Sequence, residues 1–357
     1  MIYILFLLFS VLWLYQIRNY RQPEFSIAVT VGIPICILWV VIVGTQYMVG
    51  TDYQNYIAIF RGENLEYISL VRKEYVFSWL VSAILFFELP PQSGFVILSI
   101  VEAFLLIYIM WSCTRISQYY LFFFVFICFS GTFHNQMNGL RQYLSIYFVT
   151  VAICLLCKKK YFWVVALFIL STFIHKSSLL VAPIVLIIYV IRNRMDEKTL
   201  LLILFLGLLS SFVISNETLG VFIPYVNTYR HYIMNGMEEY SMTQRITKYI
   251  YIPLFVWAIY RLKYMKISQL ERSLFVFGVV GFALKLSVMS LVHLSRLGLY
   301  LEIVSCVPLV YLLYDIYIRN KTLPFLFLVT YILLPYALKV MAIKTGEYSY
   351  DSILFHV

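Results

Sequence analysis

Charge is what this chain has least of. Only 12% of its 357 residues are Asp, Glu, Lys or Arg, about half the share of a soluble domain. With 62% hydrophobic residues and a mean hydropathy of +0.87, a soluble globular fold is excluded. There is also no Gly-rich phosphate loop, no nucleophile elbow, and no cluster of metal ligands, so no metal or other cofactor is expected. No polar stretch is long enough to form a cytoplasmic domain that binds a nucleotide sugar, so an activated substrate is expected to come from the membrane. The six cysteines (Cys36, Cys113, Cys128, Cys154, Cys157 and Cys306) lie in or at the ends of apolar runs, which implies no disulfide framework. Cys154 and Cys157 form a CxxC, but no second pair or histidine is near enough in sequence to complete a metal site. The first run, 1–17, has no basic segment before it and no small-residue cleavage pattern after it, so it reads as a first helix and not as a secretory signal. The net charge of +10 is scattered over short loops. It reports topology and implies no nucleic-acid partner.

What the chain does have is apolar runs near the length a bilayer requires, about 20 residues at 1.5 Å rise. Twelve appear: 1–17, 26–49, 93–112, 118–133, 139–157, 161–174, 177–191, 199–215, 246–260, 273–291, 297–315 and 323–343. The fold class is therefore an all-α polytopic membrane protein, expected as a single integral membrane domain over 1–357. A thirteenth run, 75–89, is short and ends at Glu88 and the Pro90-Pro91 pair. If it crossed the membrane, Arg18 and Arg21 would face away from Lys158, Lys159 and Lys160, against the positive-inside rule. If it only dips in, all the basic loops share the cytoplasmic side and both termini lie outside. The run 75–89 is therefore read as re-entrant or interfacial, and broken backbone at membrane depth borders protein or a water-filled cavity.

On this topology the outer face carries two longer segments, 50–74 and 216–245, and the short turns around His134–Asn138, His175-Lys176 and His293–Arg296. Tyr53, Tyr56, Phe60, Tyr67, Tyr225, Tyr229, Tyr232 and Tyr240 in the long segments suit an interfacial aromatic belt and also suit stacking on sugar rings. Three helices are expected to begin there beside a cation: Arg141, Lys176 and Arg296. A cation at a helix N-terminus opposes the dipole and asks for an anion. Free N–H groups and bidentate arginine donors make a diphosphate a natural one, although each cation alone also fits a snorkelling interfacial residue. Arg230, His231, Arg245 and Lys248 add positive charge from the second segment.

His175 closes a run of only 14 residues, about 21 Å of helix, so it is expected in a depression below the outer surface. There it could act as general base, hydrogen-bond a phosphate, or simply cap its helix. Asp52 follows the second run, where Thr51 with Gln54 fits a capping box. Glu74 stands after Arg72 and Lys73 at the mouth of the dipping element, where a shielded carboxylate beside cations is poised as base or sugar ligand. Lys285 and Glu302 lie within runs at similar depth, and a structural ion pair between them is expected.

Taken in order, Gly50-Thr51-Asp52-Tyr53 with Tyr56 and Phe60, Glu74-Tyr75-Val76-Phe77, Leu140-Arg141-Gln142, Phe173-Ile174-His175-Lys176-Ser177-Ser178, and Arg296 with Tyr300 resemble the EpsG family of Wzy-like polysaccharide polymerases, over residues 45–310. The resemblance implies a bacterial inner-membrane enzyme similar to the multi-span, metal-independent, GT-C-like glycosyltransferases that use lipid carriers. Its implied substrates are undecaprenyl-diphosphate-linked oligosaccharides, as donor and acceptor, joined at the outer face to build O-antigen, lipopolysaccharide or exopolysaccharide. Chain-length regulator and flippase proteins would be its partners. Under this resemblance Arg141, Arg296 and Lys176, with Arg230 and Arg245, would hold the diphosphate. His175 or Glu74 would take the acceptor proton, and Asp52 would hold a sugar hydroxyl or an arginine. A glycan ligase would share the donor chemistry. A lipid-linked oligosaccharide flippase or transporter would place its unusual residues near the midplane in repeated halves, which is not the pattern here, and a membrane acyltransferase would need its donor from the cytoplasm.

Overall fold

The protein is described here from a computed structural model covering residues 1–20, 24–63, 65–213, 242–289, 292–343 and 346–356. Its first half runs through α1 (Ile2–Gln16), α2 (Phe25–Trp39) with a π-helical continuation (Val40–Gly44), α3 (Tyr53–Phe60), α4 (Tyr75–Phe86), α5 (Gln92–Cys113), α6 (Tyr119–Val125) with a second π-helical continuation (Phe126–Ser130), α7 (Thr132–Asn135), α8 (Leu140–Cys157) and α9 (Tyr161–Ile174). The remainder comprises α10 (Ser178–Ile191), α11 (Glu197–Val213), α12 (Met242–Tyr249), α13 (Ile252–Leu262), α14 (Gln269–Val288), α15 (Val292–Leu299), α16 (Cys306–Ile318) and α17 (Thr322–Ala342). Among the described residues there is no strand, only an isolated antiparallel bridge between Gln46 and Ser352.

Four stretches are long and apolar enough to cross a membrane: Phe25–Gly44, Gln92–Cys113, Leu140–Cys157 and Thr322–Ala342. Shorter apolar helices, α1 and α9 among them, accompany these. The protein is an all-helical, multi-pass membrane protein. Most helix bounds fall within a few residues of the apolar runs, and two runs are corrected. The run 246–260 is broken at residues 250–251, between α12 and α13, and Pro253, which lacks an N–H, stands in the first turn of the new helix, the position that suits it best. The run 297–315 is also interrupted, by turns over residues 300–305 before α16. Pro308 lies in the first turn of α16, where its missing N–H needs no intrahelical acceptor.

The chain divides into two compact units, Met1–Ala182 with Ile316–Val357, and Pro183–Asp315. In the first unit, α8 and α9 form a tight antiparallel hairpin closed by Lys158–Lys160, and Ser145 Oγ donates to the Ser171 carbonyl across it at 3.0 Å. The apolar face of α3 supplies Tyr53, Tyr56 and Phe60 to a buried aromatic cluster with Phe77 of α4 and Phe95 of α5. Gly94 makes this approach possible, since a Cβ there would meet the Phe60 ring at 2.5 Å. The C-terminal segment returns to the same unit. Tyr47 N–H donates to the Asp351 carbonyl at 3.0 Å and Ile353 N–H to Thr45 at 2.9 Å, while the buried His134 ring stacks on Tyr348 at 4.4 Å. The segment 44–52 is further held by Gln92, whose Nε2 donates to the carbonyls of Gly44 and Gln46 and whose Oε1 accepts from Tyr53.

In the second unit α11 packs closely on α14, where Gly207 lies against the Ala283 backbone. The capping box Ser268/Glu271 starts α14. The expected Lys285–Glu302 ion pair is formed, with side chains 8% and 1% exposed. A second pair joins Arg261 to Asp315 at 2.6 Å.

Candidate active site

Within the first unit, two of the residues singled out from the sequence converge on the carboxylate of a third. Glu74 is the N-cap of α4, placed there by Lys73 in the left-handed region (φ 54°) and by its own N–H donating to the Ile68 carbonyl at 3.2 Å. Its side chain is 3% exposed. Arg141 Nη1, from the first turn of α8, donates to Oε2 at 2.5 Å, and His175 Nδ1, from the C-cap of α9, to Oε1 at 2.9 Å. The hairpin that joins α8 to α9 therefore brings residues 141 and 175 to the same end, and α4 adds the anion between them.

Burial alone would raise the Glu74 carboxyl. The hydrogen bond from His175, the Arg141 charge and lesser contributions from His175 and Arg72 outweigh it and hold the group below the usual carboxylate range. Glu74 is thus the anion that the dipole argument requires beside Arg141, supplied by the chain itself. With Nδ1–H donated to the carboxylate, the neutral imidazole leaves Nε2 as acceptor, on a side chain 20% exposed. Arg141 lies on an aromatic shelf, its guanidinium carbon 5.5 Å from the Phe77 ring centroid and 5.9 Å from that of Tyr56. Its Nε is buried with no hydrogen-bond partner among the described residues. The Tyr56 hydroxyl accepts from the Arg141 backbone N–H at 3.5 Å. Burial raises this phenol, with Arg141 opposing the rise and Asp52 adding to it.

Asp52 is the N-cap of α3, but its side chain caps nothing. The capping box of Thr51 with Gln54 does not form. The Asp52 N–H and the Thr51 hydroxyl both donate to Asn138 Oδ1, at 2.9 and 3.2 Å, and Gln54 instead reaches Met48. A partner 86 residues away in sequence replaces the local one. Lys176 is exposed in the turn before α10, next to His175.

Arg245 and Arg296 belong to the second unit. Arg296 does not open a helix. It stands exposed in the last turn of α15, where the dipole favours a cation. Arg230 and His231, like Tyr225, Tyr229, Tyr232 and Tyr240, lie outside the described residues. No group of three His, Cys, Asp or Glu side chains is gathered as for a metal ion among the described residues, and the cysteines there are free thiols. Sequence reasoning did not single out Asn138, or Tyr56 and Phe77 as the shelf under Arg141. The only signal for Asn138 was its place in a turn three residues before Arg141.

Fold and site together define a multi-pass membrane protein with an Arg–Glu–His constellation at one end of a helical hairpin. The chain belongs to the EpsG family, whose sequence model matches residues 29–352, and members of this family are Wzy-like polymerases. No curated protein and no solved structure matches the chain.

Proposed function

We propose that this protein is a polysaccharide polymerase that joins undecaprenyl-diphosphate-linked repeat units at the outer face of a bacterial inner membrane, with about twelve spans and α4 as a re-entrant or interfacial element. The observation that carries the reading is the shared Glu74 carboxylate, which at once aims an imidazole and holds an arginine whose Nε is unused. The α8–α9 hairpin supports the orientation. Its closed end carries Lys158, Lys159 and Lys160, which favours the cytoplasm, so its open end, with Arg141 and His175, faces outward. At 12 residues, about 18 Å, α4 is short for a hydrocarbon core of about 30 Å.

In the proposed reaction an acceptor hydroxyl attacks the anomeric carbon of the donor glycan. The new C–O bond forms as the bond to the diphosphate oxygen breaks, and the bonding pair leaves on undecaprenyl diphosphate. His175 Nε2 takes the hydroxyl proton, and Glu74 fixes the tautomer and steadies the imidazolium. Arg141, with Lys176, stabilises charge growing on the leaving diphosphate, a contribution of about 100- to 1,000-fold for one such donor. Both Glu74 oxygens are engaged by cationic or N–H partners, which supports a reaction that proceeds without a metal ion.

The test is purified full-length protein mixed with the lipid-linked repeat unit from its own cells, with chelator present and no nucleotide sugar. A glycan ladder is the expected result. Transfer to a single non-lipid acceptor would make the protein a ligase, and no product from folded protein would overturn the glycosyltransferase reading.

A further inference from the structure

The loop 50–52 and the segment leading into α8 meet at Asn138. Gly50 has φ 79° and a Cβ there would lie 2.7 Å from Asn138 Oδ1, so glycine is required both for its backbone conformation and for this contact. The Asp52 backbone N–H can only donate, so the atom facing it at 2.9 Å is the amide oxygen. That leaves the Asn138 NH₂ as a pair of donors. Among the described residues neither this NH₂ nor the Asp52 carboxylate has a hydrogen-bond partner, and both side chains are partly exposed. A donor group and an anionic acceptor are thus held on residues bonded to each other, three positions before Arg141 and one helical turn before Tyr56.

A sugar hydroxyl is donor and acceptor at once, and neighbouring hydroxyls on a pyranose match such a pair. We infer that Asp52 and Asn138 form a sugar-hydroxyl subsite beside the Arg–Glu–His centre. The Asp52 carboxylate accepts a hydrogen bond from one hydroxyl, and the Asn138 amide N–H donates to the adjacent hydroxyl oxygen. Asn138 Oδ1 keeps the two groups in register by holding the loop. The identity of the ligand as glycan rests on the polymerase reading, and the geometry of the pair does not.

The probe is the free oligosaccharide released by mild acid from the lipid-linked repeat that accumulates in cells deleted for this gene. Binding to the full-length protein in nanodiscs is followed by saturation-transfer NMR and titration. Wild type should bind. Asp52→Asn and Asn138→Asp should each weaken binding about tenfold or more, as for loss of a charge-assisted hydrogen bond. Asn138→Asp keeps an oxygen for the Asp52 N–H and should melt like wild type. If it does not, Asp52→Asn, which leaves the Asn138 bonds in place, decides the matter. Unchanged binding in Asp52→Asn, or in a normally melting Asn138→Asp, overturns the subsite, as does a wild type that does not bind. Loss of binding in both variants, from a wild-type protein that makes no ladder, would keep the subsite and discard the polymerase.

Discussion

Each unit of this protein buries a carboxylate against a cation, and the two arrangements differ in what they leave over. Glu302 meets Lys285 one to one, with both side chains withdrawn at 1% and 8% exposure. Glu74 is as deeply buried, but it is shared by two cationic or N–H donors whose own side chains stay 14% and 20% exposed. The closed pair can neutralise itself and position α14 against the turn at 300–305. The open set uses its anion to aim two side chains that stay partly exposed, presenting His175 Nε2 and leaving Arg141 Nε buried but unused. A buried ion pair is weak evidence of stability in itself. An unused buried atom occurs in both, Arg141 Nε and Glu302 Oε2, so whether the cationic side chains stay partly exposed is the more telling question.

The contrast is broken most directly by removing one partner from each set and then both. Lys285→Met should destabilise by about 3–5 kcal/mol, because it leaves Glu302 buried and uncompensated, and Lys285→Met with Glu302→Leu should recover most of that loss. Melting temperature in nanodiscs and glycan output are read together, and output should follow stability throughout. In the open set the same manoeuvre should separate the two readouts. Glu74→Leu with Arg141→Met should recover melting temperature but produce no ladder. A ladder from that double variant would reduce the site to a scaffold like the other pair.

Next in size are the single substitutions at the open set. Arg141→Ala should lower polymerisation by about 100- to 1,000-fold, and His175→Ala by a factor of about 100 or more, without loss of protein abundance. Normal chain lengths from either would sink the assigned role. A smaller effect follows from Glu74. Its carboxyl is depressed in the folded protein from the ordinary 4.5, so its contribution is fully present above that value and is lost as pH falls through the lower, folded value. Melting temperature should therefore drop below pH 4.5 more steeply in wild type than in Glu74→Gln, and identical slopes would show that Glu74 carries no such linkage.

Much of this could be read from the sequence because membrane helices announce themselves by length and apolarity. The run 161–174 matches α9 residue for residue. Glu74, Arg141 and His175 stood out because charge near an apolar run needs a reason. The errors have a common cause in long-range contacts. That Arg141 has a carboxylate of the chain itself as a partner is not legible locally, because Glu74 stands 67 residues earlier. The local capping box of Thr51 with Gln54 lost to Asn138 for the same reason. Hydropathy points to a helix start at Arg296 because it continues through residues 300–305, where the chain in fact turns and Glu302 points inward to Lys285 before the next helix begins at Cys306.

The smallest effect sharpens the comparison most finely, because it asks whether the shelf under Arg141 acts through its rings or through its hydroxyl. Tyr56→Phe keeps the ring that packs with Phe60, Phe77 and Phe95 and removes only the oxygen facing the Arg141 N–H. That N–H lies in the first turn of α8, where no intrahelical acceptor exists, but at 3.5 Å the bond is long. Its loss should cost about 0.5–1 kcal/mol in melting and leave chain extension within about fivefold of wild type, since about 1 kcal/mol corresponds to a factor of five. A loss as large as that of Arg141→Ala would instead mean that the Tyr56 hydroxyl reaches the reacting atoms, and the open set would then have four members.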